Sequence, residues 1–155
     1  MGVFPDKDSH TSTVDPDKLY NALTKHFKTI ITKMMNTVIK SVEGSGSPGS
    51  TLKITFEDEG KTPVLGYKLD KVDDQHKDYE YTFLVEEIKG LENIEKVGFK
   101  TRVSRNAGGG SDVNITINYY TKDDVDVPEE TRDELKAKAS GFFWAIELLA
   151  KATQA

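Results

Sequence analysis

Apolar and polar residues alternate one by one through five successive segments between residues 52 and 119. In the first segment, Leu52, Ile54 and Phe56 are separated by polar residues, and the other four segments repeat the pattern. Because successive side chains of a strand point to opposite faces, this period of two is typical of a strand with one buried face. Five such segments joined by turns predict an antiparallel meander with one wet and one dry face.

Two more strands and two short helices are predicted ahead of this meander. Residues 3–13 end in a β-branched alternation that is typical of an edge strand, and residues 37–43 predict a second strand. The Asp-Pro-Asp run at 15–17 is a helix start, because Asp caps free N–H groups and Pro fits the first turn. Helical spacing of apolar residues predicts that this helix runs to about Leu23 and that another covers about residues 27–35.

The longest helical pattern covers residues 132–150, near the end of the chain. Its apolar residues recur every three or four positions and form one continuous face: Leu135, Ala139, Phe142, Ile146 and Leu149. A sheet with one dry face needs an apolar cover, and this helix is the only predicted element long enough to supply it. The order strand, two helices, six strands, helix predicts an α+β fold, with residues 1–155 in a single domain.

The composition narrows the class of protein. A net charge of −5 argues against a general binder of nucleic acid or of anionic membranes, because such proteins present a basic surface. The chain has no cysteine, which excludes disulfides and thiolate chemistry and suits a reducing compartment. No segment is apolar enough for a membrane span, and no signal peptide is visible. We therefore expect a soluble globular protein.

The dry face of the predicted sheet is rich in aromatic residues, and the long helix adds Phe142 to them. Those on the strands are Phe56, Tyr67, Tyr79, Tyr81, Phe83, Phe99 and Tyr119. A buried tyrosine must find a partner for its hydroxyl. Two interpretations are open: the hydroxyls reach solvent at the rim of a solid core while Lys138 extends outward, or they point into a pocket for an amphipathic ligand.

Motifs for other chemistry are weak. Gly44, Gly46 and Gly49 match the spacing of a dinucleotide-binding loop, but a strand and not a helix follows them. A tight β-turn loop fits better, and a weak anion-binding nest of N–H groups is the alternative. The three histidines are scattered, so no metal site is expected. Glu95 and Glu147 could meet as catalytic carboxylates, although such pairs are common in charge-rich chains.

Several stretches of the chain are similar to one plant family. They are MGVF at 1–4, SVEGSGSPGS at 41–50 with KITF at 53–56, IEKV at 94–97, YYTK at 119–122, and the terminal helix. Together they resemble the plant pathogenesis-related proteins of class 10, the group of the major birch pollen allergen. The resemblance implies a START-like helix-grip fold: a seven-stranded antiparallel sheet wrapped around a long C-terminal helix, two short helices closing one end, and a large internal apolar cavity.

The resemblance also implies a function. Its members bind amphipathic small molecules: cytokinins and other hormones, flavonoids, sterol-like compounds or fatty acids. By position, the cavity wall would comprise Leu23, Ile31, Ile39, Ile54, Phe56, Tyr67, Tyr79, Tyr81, Phe83, Phe99, Thr101, Lys138 and Phe142. Ile115, Ile117 and Tyr119 join this wall on the basis of strand alternation alone. We therefore expect a cytoplasmic, monomeric plant defence or stress-response protein that carries a small amphipathic ligand, without cofactor, metal, membrane or specific nucleic-acid partner.

Some positions depart from the family pattern. Phe99 stands where the birch allergen has a smaller polar residue, which predicts a reshaped or reduced cavity. Lys53, Glu95 and Glu147 match positions that have been proposed for a ribonuclease activity, but Leu149 replaces a tyrosine. An acidic chain without a placed histidine is a poor ribonuclease. An enzyme, either a ribonuclease or a small-molecule condensing enzyme, is the alternative, without assigned catalytic residues.

Overall fold

The computed structural model describes residues 2–33, 39–57, 60, 63–85, 91, 93–124 and 126–152. Its strands and helices follow the predicted order: β1 Gly2–Ser12, α1 Pro16–Thr24, α2 Phe27–Thr32, β2 Ile39–Glu43, β3 Thr51–Phe56, β4 Val64–Asp73, β5 Asp78–Leu84, β6 Ile94–Arg105, β7 Ser111–Thr121 and α3 Glu129–Ala152. The predicted end of the second helix at 34–35 and the predicted strand start at 37–38 lie outside the described residues.

The seven strands form one antiparallel sheet in the order β1-β7-β6-β5-β4-β3-β2. β1 and β2 therefore lie at opposite edges of the sheet, although only two short helices separate them in the chain. α1 and α2 must cross from one edge to the other, and in doing so they close one end of the curved sheet. This arrangement confirms the predicted α+β fold.

The crossing begins with a capped helix, as the sequence predicts. The Asp15 carboxylate accepts a hydrogen bond from the N–H of Asp17 at 3.0 Å, and Pro16 occupies the first turn. The same carboxylate lies 2.9 Å from Nη2 of Arg105, which ties the start of α1 to the end of β6. The hydrogen bond from Arg105 holds the pKa of Asp15 below its usual range.

α3 begins three residues earlier than predicted, at Glu129. Glu129 and Glu130 favour this start because their carboxylates offset the partial positive charge of a helix N-terminus. The buried face of the helix is also wider than the predicted stripe, since it includes Phe143 and Ala150. Its buried residues are Leu135, Phe142, Phe143, Ile146, Glu147 and Ala150. Among the described helices, none combines the length and the apolar character that crossing a membrane requires.

Candidate functional site

The aromatic residues of the dry face form one continuous stack beneath α3. Phe27 of α2 stacks on Tyr67 with ring centroids 4.1 Å apart, and Tyr67 stacks on Tyr81 at 5.2 Å. Tyr81 in turn stacks on Phe99 at 4.6 Å, and Phe99 meets the ring of Phe83 at 4.8 Å. These distances are typical of favourable aromatic pairs. The stack fills much of the space that the family resemblance assigns to a ligand.

Phe142 fills the space from the helix side. Its ring centroid lies 5.6 Å from that of Phe27, 5.9 Å from that of Phe56 and 6.1 Å from that of Phe83. The side chain is only 7% exposed. Phe142 therefore packs as a core residue between α3, α2 and the sheet.

The internal cavity that remains has a volume of about 30 Å³. Its walls come from β1, α1, α2, the sheet and the second half of α3: His10, Leu23, Phe27, Tyr67, Tyr79, Tyr81, Phe83, Val113, Ile115, Ala139, Phe142, Phe143 and Ile146. At ~10–15 Å³ per water, this space holds about two waters. Among the described residues, the space beneath α3 is thus far smaller than the large cavity that the resemblance implies, and the reduction expected from Phe99 agrees with its place in the stack.

The residues predicted for the cavity wall fall into three groups. Those that line the cavity are Leu23, Tyr67, Tyr79, Tyr81, Phe83, Ile115 and Phe142. Those that are buried in the same core without lining the cavity are Ile31, Ile39, Ile54, Phe99, Thr101, Ile117 and Tyr119. Phe56 is partly buried against the core, and Lys138 is half-buried.

Lys138 does not reach into the cavity. Its ammonium lies 5.6 Å from the ring centroid of Phe56, where it makes a cation–π contact. The tyrosines, in contrast, do not reach solvent at the rim, because Tyr67, Tyr79 and Tyr81 are 3%, 5% and 8% exposed. The interpretation that combined a solid core with wet tyrosine hydroxyls is thus wrong.

The buried tyrosine hydroxyls are polar groups inside an apolar space. Burial raises the pKa of Tyr67, Tyr79 and Tyr81 above the usual range, so all three remain neutral at physiological pH. Tyr79 lies directly opposite Thr101 in the sheet. Within the described part of the chain, the hydroxyls of Tyr67 and Tyr81 make no hydrogen bond. Each can still donate to and accept from a ligand.

His10 is a cavity residue that sequence reasoning missed. Its imidazole stacks on Phe143 at 4.4 Å, and Nε2 lies 3.8 Å from the Asp8 carboxylate. Burial lowers the pKa of His10, although the charges of Asp8 and Glu147 oppose this effect. The position of His10 in β1 could have indicated this, because every second residue of the strand from Phe4 to His10 is turned inward.

A second polar group of residues joins β1 to the first half of α3. The Asp6 carboxylate lies 2.8 Å from Nζ of Lys136 and 4.0 Å from Nη1 of Arg132. Burial alone would raise the pKa of Asp6, but the hydrogen bond from Lys136 and the two positive charges outweigh it, so the pKa is lowered. Beside them, the buried hydroxyl of Tyr119 has no hydrogen-bond partner among the described residues.

The glycine-rich loop is a tight turn followed by a strand, which is the arrangement preferred from the sequence. Gly44, Gly46 and Gly49 have φ values of +119°, +76° and +88°, in the region that favours glycine. A Cβ on Gly44 would lie 2.5 Å from the carbonyl oxygen of Thr51. The ammonium of Lys28 donates to the carbonyl of Gly44 and so fastens the loop to α2.

The three residues that match a proposed ribonuclease site do not converge. β4 and β5 separate β3 from β6, so Lys53 and Glu95 lie three strand spacings apart along the sheet, which is about 14 Å. Glu147 borders the turn that follows Arg105, at the other end of β6 from Glu95. Eleven strand residues span roughly 35 Å, so no single substrate bond can reach all three. No group of three His, Asp or Glu side chains among the described residues is arranged to hold a metal ion.

Comparison with known proteins places this architecture in a family. Residues 9–143 match the Pathogenesis-related protein Bet v 1 family. The chain belongs to this family. The ABA-responsive protein ABR17 of Pisum sativum is 40% identical over 150 residues, covering 95% of this chain and 94% of the relative. The class 10 plant pathogenesis-related protein 2F of Lupinus luteus is 38% identical over 149 residues, with the same shares of 95% and 94%.

Solved structures agree with the Bet v 1 family fold. The crystal structure of Ara h 8.0201 superposes with a TM-score of 0.84 at 32% identity, covering 98% of this chain and all of that one. A point mutant of norcoclaurine synthase from Thalictrum flavum, in complex with a transition-state analogue, has a TM-score of 0.72 at 14% identity and covers 99% and 98%. At that identity the likeness to the synthase shows a shared fold alone.

Proposed function

We propose that this protein binds amphipathic small molecules between α3 and the dry face of the sheet. The observation that carries the proposal is that the side chains of Tyr67 and Tyr81 are buried and border the cavity, while their hydroxyls bond to no protein group in the described part of the chain. A buried hydroxyl without any partner costs about 1–3 kcal/mol, so these hydroxyls need a partner inside the cavity, either water or a ligand, whereas phenylalanine would need none. Tyrosine is the better choice if a ligand satisfies the hydroxyl.

The small cavity sets the way in which a ligand enters. Sites for small molecules usually measure about 300–1,000 Å³, whereas this one measures about 30 Å³. Binding therefore requires the aromatic rings to change rotamer and the second half of α3 to move outward. Part of the binding free energy is used for this rearrangement, which lowers the apparent affinity. Flat ligands fit best because they can lie on the faces and edges of the sheet's aromatic rings in the space that opens when α3 moves away.

The finer expectations follow from the family. We propose cytokinins, flavonoids, sterol-like compounds and fatty acids as ligand classes, and a monomeric cytoplasmic protein without cofactor, membrane or specific nucleic-acid partner. The names of the relatives, which include an ABA-responsive protein and a disease resistance response protein of Pisum sativum, support a role in stress or defence. In that role the protein acts as a carrier or reservoir for its ligand.

Probe titration tests the proposal. Anilinonaphthalene sulfonate is titrated into the protein, and a cytokinin or a flavonoid is then added to displace it. We expect saturable uptake and displacement. In Tyr81→Phe, loss of one hydrogen bond should weaken the displacing ligand about 3- to 10-fold while the protein becomes no less stable. No uptake of any probe would contradict the proposal.

A matched variant controls for the loss of a hydroxyl as such. Tyr120 follows Tyr119 on the opposite face of the sheet, where its ring lies 4.9 Å from the ammonium of Lys96. Tyr120→Phe should leave ligand affinity unchanged. An equal loss of affinity in Tyr120→Phe and Tyr81→Phe would show that the ligand does not bind at the stacked rings.

A further inference from the structure

A second concave region lies on the surface, between the end of β1, the turn at residues 106–110 and the second half of α3. We call it the Trp144 groove after the indole that forms its apolar wall. Its volume of about 650 Å³ suits a small molecule. It shares no lining residue with the internal cavity, so it is a separate candidate site.

The indole of Trp144 is fixed on one side and open on the other. Its ring centroid lies 5.0 Å from that of Phe143 and 5.4 Å from that of His10, with interplanar angles of 76° and 65°. Nearly half of the residue is nevertheless exposed, at 48%. An exposed apolar ring that its neighbours hold in one orientation offers a ligand a contact surface at little cost in side-chain entropy.

The opposite wall of the groove is also held in place. Oδ1 of Asn106 accepts hydrogen bonds from the N–H groups of Gly108 and Gly110, both at 3.0 Å. Nδ2 of Asn106 donates to the carbonyls of Ser12 and Ser111 at 3.4 Å and 3.2 Å. The Asn106 side chain thus holds the turn in one conformation and connects it to β1. The groove is therefore formed before any ligand arrives.

Hydrogen-bonding groups from three elements surround the indole. β1 and the residue after it supply the exposed hydroxyls of Thr11 and Thr13, and β7 supplies the carboxylate of Asp112. α3 supplies Glu147, which is 7% exposed and has Oε1 3.3 Å from the ammonium of Lys151. Within the described part of the chain, the Asp112 carboxylate and Oε2 of Glu147 have no hydrogen-bond partner. The groove thus offers acceptors and donors around one aromatic face.

The charges of the groove select among ligand classes. Asp112 and Glu147 repel phosphates and carboxylates, and Lys151 is the one described lining residue whose charge opposes them. Lys151 offsets the charge of Glu147, so only Asp112 is left to attract a cation, and titration with choline distinguishes that outcome. A neutral ligand with several hydroxyls remains. The C–H face of a sugar ring can lie on the indole, whose π face is electron-rich, while its hydroxyls donate to carboxylates and accept from threonine.

We propose that the Trp144 groove binds a neutral saccharide of one or two rings. The proposal is independent of ligand binding in the cavity. It has a built-in reporter, because Trp144 is the only tryptophan of the chain. Tryptophan emission of the full chain is followed during titration with cellobiose, and with glycerol and choline chloride at matched concentrations. We expect a saturable change with cellobiose and a small, linear change with the other two.

Variants separate a binding site from a solvent effect. Asp112→Asn and Thr11→Val should each weaken cellobiose about 3- to 10-fold, the range expected for one hydrogen bond. Thr116→Val, on an exposed position of the same β7 strand, should leave the titration unchanged. Trp144→Leu should abolish the saturation-transfer NMR signal of cellobiose, with circular dichroism confirming that the variant is folded. A linear cellobiose response like that of glycerol, or saturation by choline alone, would overturn the proposal.

Discussion

Replacing Phe142 with alanine tests whether the interior of the protein is filled or open. Removal of a phenylalanine ring that is packed on several sides costs about 3–5 kcal/mol, through lost apolar burial and the cavity left behind. The space already present is only about 30 Å³. At about 24 cal/mol per Å³ of cavity, it reduces this cost by about 0.7 kcal/mol at most. The stability of the Phe142→Ala variant should therefore fall by at least about 2 kcal/mol.

The expected loss is large enough to measure by two methods. In a domain of this size, 1 kcal/mol corresponds to a shift in Tm of about 2–4 °C, so we expect Tm to fall by about 4–20 °C. Urea unfolding followed by circular dichroism gives the free energy of unfolding independently. Leu148→Ala is the control, because Leu148 lies on the same helix with 67% exposure and should change stability by less than about 0.5 kcal/mol. A loss below about 1 kcal/mol in Phe142→Ala would refute the packed interior.

Two further predictions concern pH and backbone conformation. Because burial lowers the pKa of His10, the unfolded chain binds a proton at higher pH than the folded chain does. The neutral imidazole therefore contributes to the stability of the fold above about pH 6.5, and this contribution is lost as pH falls. Tm measured from pH 7.5 to 5.5 should therefore fall less in His10→Phe than in the wild type, and equal slopes would argue against a buried neutral His10. Gly44→Ala places a Cβ 2.5 Å from the carbonyl of Thr51 at a φ of +119°, so we expect it to destabilise the protein by more than about 1 kcal/mol. Gly109→Ala is the control, because Gly109 also has a positive φ but open space around it, and it should cost less. The reverse order of stability in urea unfolding would contradict this account.

The sheet could be predicted from the sequence because burial of one face forces a period of two. Tyr79, Tyr81 and Phe83 are buried in register, as their alternation with polar residues requires. The start of α1 was predictable for a similar reason, since Asp15 satisfies free N–H groups that any helix start leaves exposed. These features depend on residues that are close together in the chain, so the sequence pattern is sufficient to predict them.

The size of the cavity depends on contacts between residues that are distant in the chain. Tyr81 and Phe99 stack with their planes 10° apart, and no periodicity specifies ring orientation. Alternation shows that both rings are on the dry face but not whether they fill it. His10 was missed for a related reason. Its burial beside the cavity depends on stacking against Phe143, which is far from it in the sequence. Long-range packing therefore decided the parts of the site that the sequence left open.

The central claim is that a ligand binds between α3 and the aromatic rings of the dry face. Isotope-filtered nuclear Overhauser spectra of the protein saturated with a displacing cytokinin or flavonoid measure this directly. The account predicts contacts from ligand protons to the rings of Tyr67, Tyr81 and Phe142. Contacts confined to surface residues, such as Ile30 and Leu149 in the groove between α2 and the end of α3, would contradict it.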